Sequence, residues 1–222
     1  MSKDVLDKLR RCYGVVELLE PREPFELIVW ENAAYLVDDE RRSSVWRALD
    51  VAVGISPVKL LAAGARRIEA AIREGGMQPA HRAAKVLRCA ELALEAGGDL
   101  RAALESADEK KRRTLLKRFP GIADPGADKV LLFCGFSNAP ALDSNGLRVL
   151  ARLGVIEESE SYAAMYRAGI GYLSDRVKGS PLEAFALLRA HGRELCKRTA
   201  PLCGACPLQS VCRYGGGTAL IQ

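Results

Sequence analysis

Residues 119–130 read FPGIADPGADKV, and they lie between two segments of helical spacing. The segment before them, EKKRRTLLKR at 109–118, carries six cations and one acid. The segment after them continues as an apolar helical pattern over 126–136. Glycine lets the backbone turn tightly at Gly121. The amides at the start of the following helix have no intrahelical partner and point outward. Together with the helix dipole they can hold a phosphate without any side chain. Gly121, Ile122, Ala123 and Gly126 form this candidate anion-binding turn, with Gly126 expected to add backbone freedom. Pro125 removes one amide donor from it. The basic run upstream reads either as a solvated helix face or as added attraction for a polyanion.

Outward from the hairpin, nearly every segment repeats its apolar residues at helical intervals. Residues 2–13 place Val5, Leu6 and Leu9 on one face, with Ser2 as a possible cap. Residues 24–36, PFELIVWENAAYL, open with proline at a first-turn position and are apolar nearly all round, which predicts a central, buried helix. Further helices are predicted over DDERRSSVWRALDVAV and about 65–74, 79–96, 99–106, 109–118, 143–153, 158–174 and 181–196. No convincing alternating strand appears, so the expected fold class is all-α. The 222 residues suffice for one sizeable domain or two small ones. The net charge of +5 permits a polyanion partner without demanding one. No apolar run is long enough to span a bilayer, and the charged, amphipathic start does not read as a signal peptide. The expectation is a cytoplasmic protein with reduced cysteines and no membrane partner.

Four of the seven cysteines crowd into HGRELCKRTAPLCGACPLQSVC. Cys196, Cys203, Cys206 and Cys212 are separated by six, two and five residues. Thiolates grouped so closely repel one another unless a metal holds them. Zinc usually takes two Cys-x-x-Cys knuckles on separate turns. Here one such pair sits inside a single compact loop, which suits an iron–sulfur core better. The chemistry alone leaves both open. Cys12, Cys89 and Cys134 stand apart in helical patterns and read as buried core thiols.

The six-two-five spacing after His191-Gly192-Arg193 resembles the iron–sulfur loop of the endonuclease III family of helix-hairpin-helix DNA glycosylases. Phe119-Pro120-Gly121-Ile122-Ala123 is similar to that family's hairpin, with Ala123 in place of a second glycine. The segment ALDSNGLRVLARLG resembles the family's aspartate-bearing helix start. The resemblance implies a six-helix barrel lobe over 25–136, with the helix-hairpin-helix at about 110–136. It implies a second lobe, residues 1–24 plus 137–222, holding a 4Fe–4S cluster on the four cysteines. Lys197 and Arg198, inside the first cysteine loop, would meet the DNA backbone. The alternative for them is solvated surface.

The same resemblance assigns chemistry. Asp143 falls on the catalytic aspartate, where a carboxylate stabilises the positive charge that builds on the sugar or positions water. Its plainer reading is a helix N-cap. Glu31 falls where the adenine-excising and mismatch-thymine branches carry glutamate. Inside an apolar helix it is expected to have a raised pKa and to donate a proton to the departing base. The plainer reading is a buried, paired acid. Leu36 takes the place of a residue that plugs the duplex after base flipping, or is ordinary core. Asn32 and Tyr35 are candidate contacts to the flipped base. Family members that also cleave the strand carry a lysine at the position of Pro125, and proline has no nucleophile. Lys129 lies four residues on, about 5–6 Å along a helix.

The reading is therefore a monofunctional glycosylase acting on double-stranded DNA that holds a damaged or mismatched base. It is expected to be a nucleoid-associated monomer. The alternatives are a glycosylase/lyase using another lysine, or a non-catalytic protein that binds damaged or distorted DNA. The chain runs ten residues past Cys212, too few for the extra domain of adenine glycosylases. Uracil, mismatched thymine, oxidised pyrimidines and alkylated bases remain as candidates.

Overall fold

A computed structural model describes residues 3–177 and 179–216. Ser2, read as a possible cap, lies outside the described residues. All regular structure within them is helical: α1 (Lys3–Tyr13), α2 (Pro24–Ala33), α3 (Asp39–Ala52), α4 (Pro57–Ile72), α5 (Pro79–Glu95), α6 (Leu100–Glu105), α7 (Glu109–Leu116), α8 (Asp124–Phe133), α9 (Ser144–Leu153), α10 (Tyr162–Arg176) and α11 (Pro181–Glu194). The chain divides into two compact units. One runs from Leu19 to Phe136, and the other joins the residues up to Leu18 with those from Ser137 onward.

The Leu19–Phe136 unit is built round α2. Leu27, Ile28 and Val29 are fully buried and Trp30 nearly so. The helix packs against α3, α5, α6 and α8, so its lack of a polar face follows from neighbours on several sides. Trp30 meets Trp46 of α3 edge-on at 5.6 Å between ring centroids. Four of the following helices begin on a side-chain cap: Asp38 accepts from Arg41 N–H, Ser56 from Lys59 N–H, Asp99 from Ala102 N–H and Asp108 from Lys111 N–H. Helix α4 is broken at Gly64, whose φ of 70° and ψ of 171° are non-helical. The break explains why the periodicity starts at 65 and passes over the first turns after Pro57.

Buried Arg82 ties several chain ends together. Its guanidinium donates to the carbonyls of Ile72 (2.9 Å), Gly76 (2.9 Å), Met77 (3.0 Å) and Ala33. A buried cation with this many carbonyl partners is well satisfied. It fixes the end of α2 against the turn that leads into α5. Tyr35 N–H adds a bond to Gly75 O at 2.8 Å.

In the second unit, Val5 and Leu9 of α1 pack with Leu147, Leu150 and Leu153 of α9, Leu173 of α10 and Leu187 and Leu188 of α11. Helices α9 and α11 are in close contact at Gly192. A Cβ there would stand 2.7 Å from both Cβ and O of Asn145, so the glycine is required by contact. The core-thiol expectation holds for Cys89 and Cys134, whose thiols burial pushes up to about 12. It fails for Cys12, which is exposed on the outer side of amphipathic α1.

Leu27→Ala should cost ~2–5 kcal/mol, the usual range for a fully buried leucine. The measurement is a urea unfolding midpoint, lowered with an unchanged slope.

Candidate active site and cysteine loop

The hairpin runs from the end of α7 to the start of α8. Gly121 adopts φ +75°, a conformation that L side chains rarely take, and a Cβ on it would meet Asn32 Oδ1 at 3.0 Å. Ala123 serves as N-cap with φ −96°, so a glycine is not needed there. Pro125 lies in the first turn of α8, where no helical bond is lost. Gly126 is already helical, with Ile122 3.4 Å from a Cβ position, so its expected role in restoring backbone freedom is corrected. Lys117 pairs with Asp124 at 2.8 Å, which offsets an acid placed at the anion-attracting end of α8. Ile122 is buried and Ala123 is exposed. Buried Asp128 of α8 pairs with Arg113 of α7, locking the two helices.

Asn32 is assigned by sequence to the flipped base, and the structure gives it other work. It is 5% exposed, and its Nδ2 donates to Ile28 O and to Pro120 O, each at 2.9 Å. With both amide hydrogens engaged, it clamps the hairpin to α2.

Glu31, one residue earlier, lies in the last turn of α2, where the helix dipole disfavours an anion. Lys129 Nζ of α8 stands 2.7 Å from its Oε1 and 3.0 Å from Glu20 Oε1. Burial pushes the Glu31 carboxyl up. The Lys129 ammonium, Arg42 and the hydrogen bond from Lys129 together pull it further down, and the net shift is below the ordinary carboxylate range. This corrects the expectation of a raised pKa. Glu31 is a carboxylate at neutral pH and holds no proton to donate.

Glu31 and Asn32 line a cavity of about 570 Å³ together with Tyr35, Gln78, His81 and Lys85; Gly121 and Met77 also reach it. Tyr35 is 56% exposed and Leu36 75% exposed, so Leu36 is not core. Leu36 also has φ +55°, an uncommon conformation for leucine. The side of the cavity formed by Met77, Gln78, His81 and Lys85 is absent from the sequence reading. Its one signal is the turn GGMQP, which ends one helix and starts the next.

In the second unit Asp143 caps α9. Its Oδ1 accepts from Asn145 N–H (3.0 Å) and Gly146 N–H (2.8 Å), and its Oδ2 accepts from Asn145 Nδ2 (2.9 Å). Arg189 Nε of α11 lies 3.5 Å from Oδ2. The carboxylate keeps about a quarter of its exposure (24%).

Cys196, Cys203, Cys206 and Cys212 line one pocket with Arg152 and His191. Arginines of α9 hold the loop. Arg148 donates to Gly192 O (2.6 Å) and Cys196 O (2.9 Å), and Arg152 donates to Lys197 O (2.7 Å) and Arg198 O (3.1 Å). The side chains of Lys197 and Arg198 are exposed. His191 is buried, with Nδ1 3.0 Å from Tyr13 Oη and Nε2 3.5 Å from Cys206 Sγ. Burial pushes its pKa down to about 4. Among the described residues no three metal-binding side chains converge tightly enough to hold a single ion. A lone zinc, at ~2.3 Å from each sulfur, draws its thiolates to within about 4 Å of one another. Four thiols lining one pocket are a donor set for either a zinc ion or an iron–sulfur core.

Two helices joined by a tight turn at Gly121, with the second helix's first amides at its open end, make this a helix-hairpin-helix protein. No family model matches the chain. It is 34% identical to an endonuclease III of Sulfolobus acidocaldarius over 108 residues, 48% of this chain and 47% of that protein. The chain thus aligns with about half the length of this curated relative. Among solved structures, a trapped endonuclease III–DNA covalent intermediate superposes with a TM-score of 0.77 at 23% identity, covering 95% of this chain and 93% of that one. A thermostable thymine-DNA glycosylase superposes with a TM-score of 0.76 at 15% identity, covering 96% of each chain. A 3-methyladenine DNA glycosylase from Archaeoglobus fulgidus gives 0.62 at 18% identity, over 86% of this chain and 67% of that one. The chain shares the all-helical fold of these structures.

Asn32→Ala should cost ~1–3 kcal/mol, because Pro120 O loses its buried donor. Chemical denaturation measures the loss. An unchanged midpoint would remove Asn32 from the hairpin clamp.

Proposed function

We propose that the protein is a monofunctional DNA glycosylase of base-excision repair, which binds duplex DNA, turns out a damaged or mismatched base and hydrolyses its glycosidic bond. The observation that carries this reading is the pair of retained carboxylates, Glu31 and Asp143, in a glycosylase fold with no amine at the lyase position. Pro125 stands there, and the amine one turn on, Lys129, is engaged by Glu20 and Glu31. The first-turn amides of α8, the basic face of α7 and the exposed Lys197 and Arg198 would meet DNA phosphates. Tyr35 and Leu36, both exposed beside the cavity, would contact the opened base pair.

In the reaction, the bond from the sugar carbon to the base nitrogen breaks and its electron pair leaves with the base. Asp143 stabilises the positive charge on the sugar. Water adds to the sugar carbon, and its proton passes to the Glu31 carboxylate and then to the base. With no proton on Glu31 at the start, the reading favours bases that depart well unprotonated, such as uracil or thymine, over adenine.

The thiols of Cys196, Cys203, Cys206 and Cys212 would hold a 4Fe–4S cluster. When bound, it cross-links the loop carrying Lys197 and Arg198 and takes no part in hydrolysis. Protein purified without oxygen should contain four irons and four sulfides per chain, and Cys206→Ser should lower both. Stoichiometric zinc in their place would reject the cluster.

The function is tested on duplexes carrying single lesions or mismatches, with and without alkali. Strand breaks confined to the alkali-treated half are expected. Breaks without alkali would reject the monofunctional reading, and intact binding with no breaks on any duplex would reject catalysis. Asp143→Asn should bind DNA but lose at least a hundredfold in excision, within the ~10²–10³ range for a removed electrostatic stabiliser. Asparagine still caps a helix, so folding should be retained.

A further inference from the structure

The most unusual feature outside the assigned chemistry is a cation enclosed between two acids. Lys129 keeps 12% of its side-chain exposure and Glu20 1%, while Glu31 keeps 31% and reaches the cavity. The three groups come from different places: Glu20 from the segment before α2, Glu31 from the last turn of α2, and Lys129 from the middle of α8. Lys129 Nζ also lies 5.1 Å from the Phe133 ring centroid, a further restraint on its position. An ammonium that donates to two carboxylates is held in its protonated form, with no lone pair to offer.

The geometry points to Lys129 as a positioning residue for base excision: braced by Glu20, it holds the Glu31 carboxylate ionised and aimed into the cavity, and it is not itself a nucleophile. This rests on the base-excision reading above. Glu20 supplies the counter-charge that keeps Lys129 in place for its 2.7 Å bond to Glu31 Oε1. The other charged groups round Glu31 are Arg42 of α3, whose guanidinium bonds Trp30 O at 3.0 Å, and His81, Arg82 and Lys85 of α5, which line the same cavity. Arg82 is committed to backbone carbonyls. Burial raises the Glu31 carboxyl, and Lys129 is the largest influence against it. Removing Lys129 leaves burial opposed chiefly by Arg42, so the carboxyl should move up, past its ordinary value of about 4.3.

The experiment compares wild type, Lys129→Met and Lys129→Arg by the pH profile of base release and by carbon-13 NMR titration of the Glu31 carboxyl. In the wild type, activity should fall in acid below the ordinary carboxylate range. In Lys129→Met the acid limb and the NMR midpoint should both rise, by one pH unit or more. At the wild-type midpoint, a one-unit rise leaves roughly a fivefold slower rate, since ionisation falls tenfold per unit. Lys129→Arg should stay near the wild-type profile, because a guanidinium supplies the charge but cannot form an imine with the sugar. An unmoved Glu31 midpoint in Lys129→Met overturns the proposal. So does a borohydride-trapped DNA adduct at Lys129 that Lys129→Arg abolishes together with activity. If the wild type releases no base from any duplex, the excision reading fails, and the NMR midpoints still decide whether Lys129 sets the charge of Glu31.

Discussion

Charges inside a helical core must be paired where they lie. Each ion taken from water costs several kcal/mol, which is regained when partners are close and well aligned. Glu20, Lys129 and Glu31 meet that condition, and in doing so they fix the hairpin helix to α2. Asn32, the next residue, repeats the link with an amide, bonding Pro120 O. Two consecutive residues of one helix therefore set the position of the hairpin turn, one by charge and one by hydrogen bonding. The nearby Arg82 holds the opposite wall of the cavity through backbone carbonyls. The apolar packing of α2 gives the unit its stability, and these polar ties give it a defined geometry.

Asp143 shows how one group can meet a structural and a chemical demand together. Capping α9 requires an acceptor oxygen with extended backbone, and stabilising a sugar cation requires an anion with some access to solvent. The residue has φ −98° and ψ 178° and keeps about a quarter of its surface. The capping N–H groups hold the carboxylate still, in the one orientation that the proposed reaction would use.

The helices were legible because each buries a stripe or a whole surface of apolar side chains, and the period of 3.6 survives in the sequence. Residues 57–63 were missed because Gly64 interrupts that period and because the first turns of α4 are marked chiefly by Ser56 and Pro57. The cysteine loop and the turn at Gly121 are local, so their spacing carries most of their meaning. The ionisation of Glu31 is not local. Its principal partner is 98 residues away, and a glutamate in an apolar helix predicts a raised pKa until that partner is known. The hairpin bond of Asn32 is hidden for the same reason: its acceptor, Pro120 O, lies 88 residues on. Leu36 was ambiguous because apolarity alone does not separate a core residue from an exposed one, and the left-handed backbone that turns it outward leaves no mark in composition.

Helix α9 links two features that sequence presents as separate. Its first turn is capped by Asp143, its middle holds Gly192 and Cys196 carbonyls through Arg148, and its last turn holds the carbonyls of Lys197 and Arg198 through Arg152. The Arg152 carbonyl in turn accepts from Cys212 Sγ at 3.2 Å and from Tyr214 N–H at 3.0 Å. Ten helical residues make a strut about 15 Å long. Such a strut transmits displacement along its axis far more readily than it bends. A disturbance of the cysteine loop is therefore mechanically a disturbance of the carboxylate at the strut's other end, and side chains run the same way: Arg148 bonds both Cys196 O and Asn145 Oδ1, and Asn145 Nδ2 donates to Asp143 Oδ2.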